Sequence, residues 1–186
     1  MHLLLLPILL STVALAAAAE NAVYCLAESG APRKASSDKA IDYTQWIFVD
    51  AFEDGLQSFA STSGASAGST AKVSLQPITI RKKLDAASIQ LMQAAMDGTM
   101  LNMRCDFLSK ASDSKSLYFQ ILLEEVFVSS LSQSADAGEM AIEVVTFSFA
   151  KIQVATFALD KNGNSVQSNT AGYDVQEDAT RKLRGA

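Results

Sequence analysis

The hydrophobic pattern of this chain is dominated by Lys115–Leu159, where two long apolar segments flank a polar break at Ser129–Glu139. In the first segment, Leu117, Phe119 and Ile121 alternate with polar side chains. This alternation is typical of a β-strand that turns one face towards a core. The first segment therefore predicts a long strand with one buried face.

The second apolar segment also alternates, but neither of its faces is strongly polar. Val145, Phe147 and Phe149 share one face. The opposite face combines apolar residues with small polar ones: Ile142, Val144, Thr146, Ser148, Ala150 and Ile152. We expect this second face to be covered by something other than a tightly packed interior. Asp136 and Gly138 in the break are turn residues, so the two segments predict a long antiparallel pair from a barrel or a sandwich.

One stretch of the chain has the pattern of a helix. Asp85 is a good N-cap and Gly98 a good C-terminal stop, which predicts a helix over Ala86–Asp97. The larger apolar residues at helical spacing are Ile89, Met92 and Met96. We expect this stripe to pack against the sheet in preference to forming a groove for a cofactor or a partner peptide.

The remaining apolar stretches are short and predict strands, at Asn21–Leu26, Trp46–Val49, Val73–Ile80, Met100–Leu108 and near Tyr173–Val175. The segment Ser61–Thr70 contains only small residues and cannot bury apolar area. It therefore predicts a mobile loop or a segment that a partner orders. With 186 residues and neither a repeat nor a linker, the chain predicts a single domain.

The two ends of the chain predict segments that lie outside this domain. Residues 1–19 combine an apolar run with Ala17–Ala19 before Glu20, which is the pattern of a cleaved secretory signal. A second apolar run of about 20 residues is missing, so we expect an exported chain without membrane insertion. The charged residues 177–186 predict a disordered tail, which leaves the domain at residues 20–176.

Composition excludes several classes of function. The formal net charge of −5 argues against nucleic acid as a partner. The only histidine is His2, so histidine-dependent nucleophiles and zinc sites are excluded from the domain. Glu124 and Glu125 are adjacent and point to opposite faces of a strand, so they cannot act as an acid–base pair. Asp160–Asn164 predicts a turn in preference to a calcium loop. We therefore predict neither catalysis nor a cofactor or metal.

The two cysteines, Cys25 and Cys105, leave two interpretations open. In an oxidising compartment they can pair as a disulfide. Alternatively, each is a small buried apolar side chain, since Cys105 shares a strand face with Leu101, Met103 and Phe107.

Four segments of the chain together carry a family resemblance. They read TQWIFVDAF, KVSLQPITIRKKLDAASIQLMQAAMDGT, SLYFQILLEEVFVSSL and EMAIEVVTFSFAKIQVAT, and their most specific parts are Lys82–Met96, Leu123–Ser130 and Val145–Ile152. Over about Ala22–Val175 the chain resembles the Hcp (haemolysin-coregulated protein) family, which forms the inner tube of bacterial type VI secretion systems.

The resemblance implies a mainly β fold, a two-sheet antiparallel β-barrel with one flanking α-helix at about residues 86–97. It also implies a non-enzymatic protein that assembles into hexameric rings, stacks them into a tube and can carry small effector proteins in the lumen. Residues that we predict at ring or stacking contacts come from the small-residue loop and the semi-apolar strand face: Ser61, Gly64, Gly68, Thr70, Ile142, Val144 and Ile152.

One feature departs from the family pattern. Tube proteins of this family leave the cytoplasm through the secretion machine without a cleaved signal, whereas residues 1–19 predict one here. The chain is therefore either a tube protein or an exported stand-alone relative, and the alternative is a secreted monomeric binding module on the same barrel. A small hydrolase that uses carboxylates alone would need two converging acidic residues, which no spacing indicates.

Overall fold

The computed structural model describes residues 21–29, 42–59, 72–111, 114–175 and 179–181. These residues form twelve β-strands and one α-helix. In chain order the elements are β1 (Ala22–Glu28), β2 (Ile47–Val49), β3 (Ala51–Glu53), β4 (Leu56–Phe59), β5 (Lys72–Leu75), β6 (Ile78–Lys83), α1 (Ala86–Asp97), β7 (Leu101–Ala111), β8 (Ser114–Ser134), β9 (Ile142–Ser148), β10 (Lys151–Leu159), β11 (Ser165–Asp174) and β12 (Ala179–Arg181). The mainly β fold class is confirmed.

The helix α1 has the bounds that the sequence predicts, and both of its ends are capped. The Asp85 carboxylate accepts a hydrogen bond from the backbone N–H of Ala87, and the Ser88 hydroxyl accepts one from the N–H of Asp85. Gly98 follows the helix in the left-handed conformation, with φ of 62°. Because glycine has no Cβ, it takes this conformation without steric cost, which ends the helix.

The 21-residue strand β8 belongs to two antiparallel sheets. The first sheet has the order β12-β11-β10-β8-β7-β1-β2, and the second joins β3, β6 and β9 to the later half of β8. Residues 119–124 of β8 pair with β10, and residues 127–134 pair with β9. β8 therefore makes a corner between the sheets, as strands do in orthogonal β packing.

The pairings of these strands close on themselves. β2 and β3 are separated only by Asp50, whose N–H donates to the carbonyl of Arg81 in β6 at 2.8 Å. β2 pairs with β1 in the first sheet, while β3 pairs with β6 in the second. Starting from β8, the path runs through β7, β1, β2–β3, β6 and β9 and returns to β8. This closed path is the barrel.

Glu125 is the residue at which β8 bends. It is the only non-glycine residue of the described chain with a positive φ, at 57°. Its N–H donates to the side-chain oxygen of Asn102, and its carboxylate lies 3.1 Å from the Lys151 ammonium. Opposite it, the N–H of Ala150 donates to the carbonyl of Glu124 at 3.2 Å. The bend in β8 is thus matched by a bend between β9 and β10.

At the bend, the inward and outward faces of β8 are exchanged, and the same exchange occurs opposite it, between β9 and β10. Before it, Ile121 and Leu123 of β8 point into the core, and after it Val126 does. On the opposite strand, Val145 and Phe147 are inside before the bend, and Ile152 packs against the core after it. A strand without this bend would turn half of these side chains towards solvent.

Lys82 fixes α1 to the end of the second sheet. Its ammonium is fully buried and lies 3.2 Å from the carboxylate of Glu143, its register partner on β9, which is also fully buried. The same ammonium contacts the Asp85 carboxylate at 2.9 Å and the Ser88 hydroxyl at 2.8 Å. Gln133 donates to the second Glu143 oxygen at 2.7 Å. One buried cation therefore joins β6, β9 and the first turn of the helix.

The C-terminal region differs from what the sequence predicts. The strand expected near Tyr173–Val175 is longer and runs over Ser165–Asp174. Ala179–Arg181 lie in the predicted disordered tail, yet they form β12 on the edge of β11. The sequence pattern underestimated the length of β11 because this strand is largely exposed and polar, so it carries little alternation.

Because Glu125 has a positive φ, we expect glycine to be more stabilising than alanine at this position, which reverses the usual order within a strand. Glu125→Gly and Glu125→Ala both remove the carboxylate, but only alanine keeps a Cβ in the left-handed region. We expect the glycine variant to be more stable than the alanine variant by about 1–2 kcal/mol. The measurement is urea unfolding followed by the fluorescence of the single tryptophan, Trp46.

Glu124, the preceding exposed residue, is the matched control. Because its φ is negative, Glu124→Gly is expected to be less stable than Glu124→Ala by about 0.5–1 kcal/mol. The same order of glycine and alanine at both positions would contradict the bend.

The buried ion pair predicts a large loss of stability when one partner is removed. Lys82→Met leaves the Glu143 carboxylate buried without its cation, which is expected to lower the free energy of unfolding by about 3–5 kcal/mol. The exposed neighbour Lys83 is the control, and Lys83→Met is expected to stay within about 0.5 kcal/mol of the parent. Similar values for the two variants in urea unfolding would argue against a structural role for the pair.

Candidate functional site

The helix α1 packs only part of its apolar stripe against the barrel, which corrects the sequence prediction in part: Leu91 is buried in the core and Met92 is half-buried, but Ile89 and Met96 point outwards. Its buried residues are Ser88, Leu91 and Ala94. Ile89 and Met96, which we expected to pack against the sheet, are 68% and 73% exposed. On the buried face, Ser88 accepts a hydrogen bond from the buried Lys82 ammonium, and Leu91 belongs to the core cluster. The outward residues Ile89, Met96 and Met100 are called the helix patch below.

The predicted contact residues of the second apolar segment separate at the bend. Ile142 is 37% exposed and Val144 half-buried, both on the outward face of β9. Ile152 lies beyond the bend and packs against the core instead. Met140 adds to the outward surface, and the N–H of Leu84 donates to the carbonyl of Ala141, which holds this region beside the start of α1.

The predicted contact residues of the small-residue loop, Ser61, Gly64, Gly68 and Thr70, lie outside the described residues. The strands on either side of this loop pair with each other. Leu56 is opposite Leu75 and Phe59 opposite Lys72, in a two-stranded sheet of its own. The two ends of the loop are therefore held next to each other.

A second outward apolar surface lies at the far end of the β10–β11 hairpin. Leu159 and Val166 are about half exposed there and form what is called the hairpin patch below. Beyond Thr156, β10 pairs only with β11, although β8 continues to Ser114 alongside β7. Near the hairpin patch, Thr156 of β10 is opposite Phe119 of β8, whereas Leu101, the first residue of β7 after α1, is opposite Val126 of β8. Phe119 and Val126 are seven residues apart, which corresponds to about 23 Å along an extended strand.

The structure joins Cys25 and Cys105 in a disulfide between β1 and β7. They are register partners, with 4.1 Å between their Cα atoms. Both side chains are fully buried in the core cluster. Of the two interpretations that the sequence leaves open, the structure has the disulfide.

A buried polar cluster covers the outer face of the first sheet. The Asp106 carboxylate accepts hydrogen bonds from the guanidinium of Arg104, the amide of Gln120 and the hydroxyl of Tyr43. Burial and then the negative charge of Asp106 raise the pKa of Tyr43 above its usual range. The guanidinium also lies over the ring of Trp46, at 5.1 Å. These contacts hold the segment before β2 against the sheet.

Sequence reasoning missed this cluster. A signal was present, because Arg104 and Asp106 fall at alternate positions inside an otherwise apolar strand. Charged residues are almost never fully buried unless they are paired. Two opposite charges on one strand face therefore indicate an ion pair there.

The acidic residues considered in the sequence analysis have different surroundings in the structure. Glu124 is exposed, and Glu125 is bound to Lys151, which raises the pKa of the lysine through their hydrogen bond. The Asp160 carboxylate accepts the N–H groups of Asn162 and Asn164 within its turn, and the Asn164 bond chiefly lowers its pKa. Within the described ranges, no three metal-ligating side chains cluster.

None of the helices in the described part of the chain has the length and apolarity to cross a membrane.

What the surface offers instead is contact area. Every buried side-chain polar atom in the described residues has a hydrogen-bond partner, so no buried group is held ready for a ligand. Twelve large apolar or aromatic side chains are exposed in the described residues, and the helix patch and the hairpin patch contain five of them. Other strongly exposed ones, such as Leu56 and Met140, lie elsewhere on the surface.

Comparison with known proteins agrees with this architecture. A structure described as that of a type six secretion system protein is similar with a TM-score of 0.71 and 19% identity, over 87% of this chain and 100% of the other. Hcp1 from Salmonella typhimurium is similar with a TM-score of 0.61 and 19% identity, over 87% and 99% of the two chains. The secreted protein Hcp3 from Pseudomonas aeruginosa is similar with a TM-score of 0.55 and 15% identity, over 83% of this chain and 98% of the other.

At these identities the solved structures show a shared fold, and no curated protein matches the sequence. The family itself is shown by sequence. The model of the family described as "Type VI secretion system effector, Hcp" matches residues 36–155, about two thirds of the chain. The chain therefore belongs to the Hcp family of type VI secretion system effectors.

Proposed function

We propose that the chain is a non-enzymatic, self-assembling protein that forms hexameric rings, which stack into a tube and carry small effector proteins in the lumen. The observation that carries this proposal is the outward helix patch. Ile89 and Met96 leave most of their area in water in the single subunit. Burial of one such side chain contributes about 1.5–3 kcal/mol, so a neighbouring subunit gains from covering them.

A ring needs two unlike patches on each subunit, because each interface is heterologous. The helix patch and the hairpin patch are proposed to meet this requirement, since different residues on separate elements of the fold form them. In the proposed ring, the helix patch of one subunit packs against the hairpin patch of the next. Ile142 and Val144 on β9 add to the contact beside α1.

The loop Ser61–Thr70 is proposed to make the stacking contacts between rings. Its support is the sequence and the paired strands β4 and β5, which hold both ends of the loop. A long loop of small residues orders at little steric cost when a partner covers it.

We further propose that the protein is secreted, with residues 1–19 as a signal that is removed before Glu20. The disulfide between Cys25 and Cys105 supports an oxidising destination, since such bonds are rare in the cytosol. It also favours the second candidate function, a secreted monomeric binding module on the same barrel. Assembly state separates the two candidates.

Native mass spectrometry of residues 20–186 tests the assembly. We expect six copies per particle, or multiples of six. Ile89→Glu/Met96→Glu places two charges in the helix patch and removes at least about 3 kcal/mol of burial per interface, so subunit association is expected to weaken by ~100-fold or more.

The control is Gln90→Glu/Gln93→Glu, which adds the same two charges to exposed positions of the same helix. We expect this variant to keep the parent's oligomeric state. A parent protein that stays monomeric at micromolar concentration would contradict the ring and leave the binding module. Equal weakening by both variants would argue that charge on α1, and not the helix patch, controls association.

A further inference from the structure

The disulfide lies where no reagent in solution can reach it. Cys25 and Cys105 both have 0% of their surface exposed. Each sits in a strand that is paired on both sides, Cys25 between β2 and β7 and Cys105 between β1 and β8. Their side chains belong to the apolar core cluster.

Thiol–disulfide exchange requires a thiolate to approach a sulfur atom directly. The barrel closes around this position, because β1 and β7 are both part of the closed path of strands. Exchange therefore needs the barrel to open. The bond joins residues that are 80 positions apart, so pairing of β7 with β1 brings the two cysteines together at a lower entropic cost than in the unfolded chain.

We propose that the Cys25–Cys105 disulfide is a folding-coupled lock, formed only while the barrel is still open and inaccessible to reductants once the barrel has closed. This inference rests on the proposed secretion of the chain. A chain that folds in an oxidising compartment keeps the bond afterwards, including in a reducing cytoplasm that a secretion tube enters.

The chemistry needs an oxidant of the disulfide class, such as a thiol oxidase or oxidised glutathione. One cysteine thiolate attacks the oxidant's disulfide, forms a mixed disulfide and releases one thiolate. The second cysteine thiolate then attacks the mixed disulfide at the first cysteine's sulfur, which closes the bond and releases the other. The cysteine pair loses two electrons and two protons, and the oxidant ends as two thiols.

The test counts thiols on the oxidised protein, residues 20–186, after exposure to dithiothreitol with and without guanidinium. Maleimide labelling followed by mass spectrometry gives the number of reduced cysteines. The fully unfolded chain is expected to take two labels quickly. The native protein is expected to take none over the same time, and its reduction is expected to be at least ~1,000-fold slower, because only a small fraction of native molecules is open.

Glu124→Cys provides a control within the same molecule, since this position is exposed. With dithiothreitol, the native variant is expected to take one label, which shows that maleimide reacts with an exposed thiol. The unfolded variant is expected to take three, which shows that dithiothreitol reduces the bond once it is reachable. Three labels on the native variant would overturn the proposal.

A second measurement tests when the bond forms. The reduced, unfolded chain is given oxidised glutathione either during or after refolding. Oxidant during refolding is expected to restore the bond, while oxidant added afterwards is expected to leave both thiols intact. A reduced chain that does not refold supports the proposal as well, since the bond must then form before the barrel closes. Rapid oxidation of the refolded dithiol protein would overturn it.

Ring formation is kept separate by repeating the label count on Ile89→Glu/Met96→Glu. Because this variant is expected to be monomeric, a protected disulfide in it would show that the lock does not depend on the ring. A monomeric parent protein with a protected disulfide would contradict the assembly and leave the lock standing. Rings that are intact but contain a disulfide that dithiothreitol reduces rapidly would support the assembly and overturn the lock.

Discussion

The corner in β8 is the constraint on which the rest of the fold depends. One strand must supply inward side chains to two sheets that face in different directions, and it does so by exchanging its faces at Glu125. The left-handed backbone there is unfavourable for a residue with a Cβ. The hydrogen bond from its N–H to Asn102 and the ion pair with Lys151 offset this cost.

Because β9 and β10 follow β8 across the whole corner, they must bend at the same place. The backbone bonds of Ala150 show how the bend is held: its N–H donates to Glu124, and its carbonyl accepts from Val175. At this point the strand leaves β6 and acquires β11 as its neighbour. The corner therefore closes the barrel on one side and starts the β10–β11 hairpin on the other. The hairpin patch exists because β10 leaves the barrel here.

The sequence predicted the elements better than their connections. The helix bounds followed from Asp85 and Gly98, since capping chemistry is local. The corner did not follow, because Glu124–Glu125 contains none of the residues that favour a positive φ. Its position is decided by pairing with residues distant in sequence, which one-dimensional periodicity does not contain. The placement of Ile152 on an outward face failed for this reason.

The predicted orientation of α1 was wrong in part, for a related reason. Hydrophobic periodicity ranks the faces of a helix by apolar content, and on that ranking Ile89 and Met96 belong inside. In the structure, the buried Lys82 instead decides which face of the helix points inwards, because its ammonium requires the Ser88 hydroxyl and the helix N-terminus close to β6. A charge that cannot be left without partners outweighs two apolar side chains that water tolerates at moderate cost. The Lys82 network thus places Ser88 and Leu91 on the inner face of the helix, while Ile89 and Met96 stay exposed to solvent.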